Sequence, residues 1–212
     1  MYSFDENVLL EELGMLPSRA RIAFAAATAT RQLSNYERLA RESEAESAQR
    51  PREIAAQLWA DLGVSAVDRA AWSERLDEVM RLLPEESDDW VIGHALADDA
   101  LSSLAYAIRC LLTPEPQEAA WAARRAYEAA DQVAIRVLHV QPGLPKTEAA
   151  IKSQDFVQRE LARQRSDLTL LRTGSVDEVQ RQAFVDHLLT EQEAAALVCD
   201  RRSRNRDRTK LP

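Results

Sequence analysis

The stretch Asp88–Leu112, DDWVIGHALADDALSSLAYAIRCLL, is the longest apolar-rich run in the chain, and its reading decides the fold. Ala97, Ala100, Leu101, Leu104, Ala105, Ile108, Leu111 and Leu112 recur at steps of three and four, the spacing that gathers side chains on one helical face. Asp98, Asp99, Ser102, Ser103, Tyr106 and Arg109 fall on the opposite arc. Ser87 or Asp88 can cap the start, and Pro114 and Pro116 stop the helix because proline lacks the N–H the ladder needs. Charge interrupts the run too often for a bilayer span, which needs about 20 mostly apolar residues. The stretch therefore reads as the central helix, 88–112, of an all-α, single-domain bundle of about eight helices.

The flanking sequence supports that class. Phe4 to Leu13 is amphipathic and ends at Gly14 and Pro17; RARIAFAAATATRQL follows, its alanines permitting close helix–helix approach. Ser34-Asn35-Tyr36-Glu37 has capping-box spacing and predicts the start of a further helix to about Ala48. Pro51 suits a first helical turn, and Gly63 a left-handed cap after Ile54, Leu58, Trp59 and Leu62. Ser65 to Asp68 caps a helix through Trp72, Leu76 and Val79 that Pro84 ends. Beyond Pro116 a helix runs through Val140 to the loop Gln141-Pro142-Gly143-Leu144-Pro145. A long helix is expected over Thr147–Arg172, another after Ser175, and a final turn after the capping-box spacing of Thr190 to Glu193. No period-two run calls for a strand.

Composition narrows function. Hydrophobic residues make up 46% and charged residues 29% of the 212-residue chain, enough for one core. The net charge is −8, and the six basic and two acidic residues of Asp200–Pro212 contribute +4 of it, leaving −12 on the rest. An acidic body repels nucleic acid and anionic membranes and suits a basic partner protein. Residues 1–199 read as the helical domain and 200–212 as a basic disordered tail, which without aromatics is a weak nucleic-acid signal. Cys110 and Cys199 have no metal-type spacing, and residues 1–20 lack the basic start and apolar run of a secretion signal. A cytoplasmic location with reduced thiols is expected.

The chemical motifs sought are absent. The five glycines are isolated, which excludes a phosphate-cradling loop, and no Gly-x-Ser-x-Gly elbow occurs. Val91, Arg136 and Phe184 stand three residues before the histidines His94, His139 and His187, so no Glu-x-x-His metal pair exists. Neither metal nor cofactor is expected. The candidate polar site is Asp99, Tyr106 and His94. Adjacent helical residues point about 100° apart, so Asp98 and Asp99 do not share a site. The plain reading of the pair is a polar stripe, or one carboxylate hydrogen-bonded to a neighbouring helix.

Four stretches carry a likeness to a known family: RIAFAAATATRQLSNYERL (Arg21–Leu39), IAAQLWADL (Ile54–Leu62), LADDALSSLAYAI (Leu96–Ile108) and SQDFVQRELARQRSDLTLL (Ser153–Leu171). In this order they resemble the YjaG-like bacterial domain-of-unknown-function family (DUF416-like). Relatives tend to read Pro-Asn-Tyr where this chain has Ser34-Asn35-Tyr36, and their Ala-x-Asp-Ala pattern falls on Ala97, Asp99 and Ala100. The likeness covers about residues 4–172, with 175–199 an additional helical part. It implies an all-helical, soluble bacterial protein and brings no established activity. Two readings follow. The first is a non-enzymatic interaction module, an adaptor or an immunity-like protein, which needs a surface patch and no deep cavity. The alternative is a small-ligand-binding protein or enzyme with a pocket between helices around Asp99.

Overall fold

Residues 1–43, 47–64, 66–85, 92–195 and 197 are described in the computed structural model. Nine helices follow one another among them: α1 (Glu6–Gly14), α2 (Ser18–Glu42), α3 (Arg50–Asp61), α4 (Arg69–Arg81), α5 (Ile92–Leu112), α6 (Pro116–Leu138), α7 (Pro145–Lys152), α8 (Asp155–Arg172) and α9 (Val176–Val185). A last helical turn covers 191–195, and no strand occurs among the described residues. The caps Ser87 and Asp88, Trp90 and the tail from Asp200 lie outside the described residues.

The centre is a pair of helices rather than α5 alone. α2 packs most extensively on α5, α5 on α6, and α2 also touches α3, α6, α8 and α9. From Ile22 to Glu37 every residue of α2 is buried, all the way round the helix. Alanine makes this possible. Ala23, Ala25, Ala27 and Ala29 on α2, Ala100 and Ala107 on α5, and Ala119, Ala122, Ala123 and Ala126 on α6 are fully enclosed. Small side chains bring backbones close, and Leu33, Leu101, Leu104 and Ile108 fill the space between them. Ser103, placed by periodicity on a polar arc, is buried because its hydroxyl donates to the Ala122 carbonyl across the contact, at 3.0 Å. Thr28 and Thr30 donate back to the carbonyls of Phe24 and Ala26 at 2.9 and 2.7 Å, and Thr30 also accepts from the Trp59 indole at 3.0 Å.

Three local expectations change. α2 runs unbroken through Ser34 to Glu37, which is no helix start: neighbours cover this turn, so a break would strand backbone N–H and C=O groups away from water. The helix expected over 147–172 divides into α7 and α8. Gln154 is extended at the junction (φ −65°, ψ 138°), and the Gln158 side chain donates to the Lys152 carbonyl at 2.7 Å, replacing a lost helical bond. Neither Pro nor Gly marks that break. Gly63 has no left-handed backbone; the positive φ values among glycines belong to Gly143 and Gly174, while His139 closes α6 at φ 53°. The capping box after Thr190 does form, with Thr190 N–H donating to Glu193 at 2.7 Å and Glu193 N–H to the Thr190 hydroxyl at 3.2 Å.

One buried ionic network crosses the core. Arg31 of α2 lies 2.8 Å from Asp167 and 3.8 Å from Glu160, both on α8, and all three are at most 1% exposed. Gln164, one turn from Glu160, donates to its carboxylate at 3.0 Å and to the Ala123 carbonyl at 3.1 Å. Burial works against the Arg31 charge, but Asp167 and Glu160 outweigh it and hold the guanidinium protonated. Burial pushes the Asp167 carboxyl up, against the pull of Arg31. Arg31→Met should cost about 3–5 kcal/mol in urea unfolding, because it leaves two acids buried without their cation. Combining it with Glu160→Gln and Asp167→Asn should recover most of that loss; equal losses in the single and triple variants would refute the charge-pairing account.

Candidate functional site

The Arg31 face of α2 leads directly to a cavity. Arg31, Asn35, Arg38 and Glu42 follow at steps of four, three and four, so they form one stripe along the helix. Arg31 is locked to α8, whereas the next three residues line a cavity of about 450 Å³. Ile92, Gly93, Ala95 and Leu96 of α5 form a second wall, and Gln132, Ile135 and Arg136 of α6 a third. Ala194 and Leu197, after α9, close another side. The small side chains at Gly93 and Ala95 leave the volume, and Leu39, Leu96, Ile135 and Leu197 make most of it apolar.

Asn35 is the anomaly in this wall. It is 2% exposed, and neither its amide nitrogen nor its carbonyl oxygen has a hydrogen-bond partner among the described residues. Buried side-chain amides nearly always find partners, since leaving one unmatched costs about 1–3 kcal/mol. Gln32 and Ser34 on the same helix are also buried without partners, but they do not line the cavity. Arg38 is loosely held: its nearest acid among the described residues, Glu191, stands 3.9 Å away with its side chain 91% exposed, and a pair of that kind contributes little.

The segment carrying Ala194 and Leu197 is tied down by charge. Arg163 reaches Asp186 at 3.3 Å and the His187 carbonyl at 2.8 Å. Arg159 meets Glu193 at 2.7 Å and the Leu188 carbonyl at 3.2 Å, and the Leu188 N–H donates to the Arg31 carbonyl at 3.2 Å. Burial lowers the Arg163 pKa, against the pull of Asp186, while the Glu193 carboxyl is held low despite burial by the Arg159 guanidinium and by the Thr190 N–H that donates to it.

Asp99 stands behind the cavity. It is buried at 1% exposure, and its carboxylate accepts from Gln132 at 2.9 Å and from Arg125 at 3.2 Å, both on α6. Of the two plain readings of the Asp98-Asp99 pair, the interhelical hydrogen bond is the one that forms. Asp99 does not sit on the solvated arc, because α6 packs over that side of α5. Burial pushes its carboxyl up to about 7, against the pull of Arg125; burial also raises Asp98. The Gln132 nitrogen is committed to Asp99, which leaves its carbonyl oxygen for the cavity.

None of Asp99, Tyr106 and His94 is a wall of the cavity. Tyr106 lies seven residues, about 10 Å of helix, beyond Asp99, packed on Trp121 with ring centroids 5.4 Å apart and under the Arg109 guanidinium at 5.5 Å. His94 is half-buried and engaged by neighbours. Cys110 is buried, and burial pushes its thiol up to about 12, which makes it unreactive. No three His, Cys, Asp or Glu side chains among the described residues are placed to hold a metal ion, and no described helix is long and apolar enough to cross a membrane. The residues missed in the sequence are Asn35, Arg38 and Gln132. The signal for Asn35 and Arg38 was the polar stripe 31, 35, 38, 42 inside an alanine-rich helix, which the capping-box reading of Ser34–Glu37 conceals.

Asp99 supplies a pH test. Its folded-state pKa is raised above the ordinary 3.8, so its contribution to stability is complete at low pH and is lost as pH rises from about 4 through about 7. Asp99→Asn should abolish that part of the decline, making the variant progressively more stable relative to the parent towards pH 8. Asp99→Ala should cost about 1–3 kcal/mol at pH 6, as Gln132 and Arg125 lose their acceptor. Chemical denaturation across pH checks both; a constant difference between Asp99→Asn and the parent would remove the titration from the account.

Comparison with known proteins places the fold. The chain resembles a crystal structure of a DUF416 family protein from Shewanella baltica OS155, with a TM-score of 0.69 at 15% identity, covering 86% of this chain and 94% of that one. No curated protein matches the sequence. The family described as "Protein of unknown function (DUF416)" matches residues 9–196. That match extends past Arg172 to take in α9 and the segment that closes the cavity, so residues 176–196 are part of the family's span and not an addition to it. With the family match spanning most of its length, this chain belongs to the DUF416 family.

Proposed function

We propose that the protein binds a small amphipathic molecule in the cavity between α2, α5, α6 and the segment after α9. The observation that carries this reading is Asn35, a buried amide with both polar atoms unmatched in an otherwise largely apolar wall. Small-molecule sites share that design: an apolar enclosure of about 300–1,000 Å³ with a few polar groups that orient the ligand. At about 450 Å³ the cavity falls within that range. Its polar groups suit holding better than transforming. Amides and arginines do not exchange protons near neutral pH, and Glu42, the acid of the wall, is exposed. The adaptor reading, by contrast, rests on acidic composition alone.

Two measurements test the proposal. The native protein should bind 8-anilinonaphthalene-1-sulfonate saturably with enhanced emission, and Ala95→Phe, which fills the cavity, should weaken binding about tenfold or more while keeping the helical circular dichroism. Undiminished binding by Ala95→Phe would sink the proposal. Asn35→Leu should stabilise the protein by about 1 kcal/mol while weakening binding, since it removes an unmatched buried amide that serves the ligand and not the fold. Loss of stability in Asn35→Leu would show that the amide has a structural duty.

A further inference from the structure

Resting on the cavity reading, we infer that the ligand is an apolar-bodied monocarboxylate. Its carboxylate lies at the mouth against Arg38 and the Asn35 amide nitrogen, and its body lies along Leu39, Leu96, Ile135 and Leu197.

The charge of the wall sets the sign of the ligand. Arg38 and Arg136 are cationic and Glu42 anionic, so the described wall carries a net positive charge although the chain as a whole carries −8. Arg136 has partners of its own. Arg38 is the guanidinium within easy reach of a ligand: its side chain is 22% exposed, and Glu191 at 3.9 Å is beyond hydrogen-bond length. A guanidinium presents a planar fork that matches the two oxygens of a carboxylate. Asn35, one helical turn deeper than Arg38, holds an amide N–H that is closed to water as it stands and adds a donor when the amide turns towards the cavity, where a charged hydrogen bond is strongest. A doubly charged phosphate would bring more negative charge than this wall balances, with Glu42 on the same stripe one turn further out. A cationic head would meet two arginines. Beyond the headgroup the leucine and isoleucine side chains offer no polar partner, which calls for a hydrocarbon or aromatic body.

Binding would also free Glu191 from Arg38. Glu191 belongs to the capped turn 191–195, next to Ala194 in the cavity wall, so a bound carboxylate and Glu191 compete for one guanidinium.

Isothermal titration of the full chain with decanoate, decanol and decylamine, all below micellar concentrations, tests the inference. Decanoate should bind about tenfold or more tightly than either of the others. Arg38→Gln should bring decanoate down to the affinity of decanol and leave decanol unchanged. Glu191→Gln should tighten decanoate about twofold and leave decanol unchanged, a response that loss of folding cannot imitate. Equal binding of decanol and decanoate, or a decanoate preference that survives Arg38→Gln, would overturn the carboxylate assignment while leaving the cavity reading intact. If none of the three binds and the anilinonaphthalene sulfonate emission is also unchanged, both readings fail.

Discussion

A guanidinium that water cannot reach must be matched by protein groups, and in this fold the match decides where the second half of the chain goes. Arg31 sits at 1% exposure in the middle of α2, and its acids, Glu160 and Asp167, both come from α8. Burying a guanidinium away from water is expensive unless its acids stay beside it, so α8 has little freedom to slide or rotate against α2 without leaving an unmatched charge. Its position fixes two further arginines, Arg159 and Arg163, which hold the chain after α9 through Glu193, Asp186 and backbone carbonyls. The Arg31 carbonyl receives the Leu188 N–H of that same segment. One buried cation thus positions the wall that Ala194 and Leu197 bring to the cavity.

The alanine-rich core explains why polar groups are trapped there at all. A helix with a single apolar stripe would turn Gln32, Ser34 and Asn35 towards water. α2 is enclosed on all sides over this turn, because the small side chains of α2, α5 and α6 let three backbones come together. Polar residues on such a helix are buried wherever they point. Thr28 and Thr30 are satisfied within the core, and Arg31 is paired with its acids, though two of its nitrogens lack a hydrogen-bond partner among the described residues; Asn35, like Gln32 and Ser34, has none there. Asn35 differs from Gln32 and Ser34 in lining the cavity, and an unmatched polar group there has the character of a functional residue.

Asp99 and Gln132 join the cavity to the α5–α6 contact. An ionised Asp99 accepts the Gln132 N–H, as observed at 2.9 Å, whereas a protonated one can donate to the Gln132 carbonyl oxygen instead. With the carboxyl pushed up to about 7 by burial, these two states are close in energy near neutral pH. Gln132 is also a wall residue, so the proton on Asp99 bears on which end of the amide the cavity presents.

The all-helical class, most helix ends and the burial of Leu101, Leu104 and Ile108 were legible in the sequence, because hydrophobic periodicity, proline and capping residues act through near neighbours. The reciprocal Thr190–Glu193 cap is such a case. Periodicity placed Asp99 and Ser103 on a polar arc but could not show that both are buried, for a physical reason: it records which side of a helix is apolar, not how many sides the neighbours cover. The junction at Gln154 escaped notice because a side-chain bond from Gln158 to the Lys152 carbonyl, not a proline or glycine, sustains it. The cavity was beyond sequence reasoning altogether. Asn35, Gln132 and Leu197 lie far apart along the chain and share a wall only because Arg31 must meet Glu160 and Asp167. Local chemistry determined the helices; the requirement that buried charge and buried backbone find partners across the core decided how they pack and what they enclose.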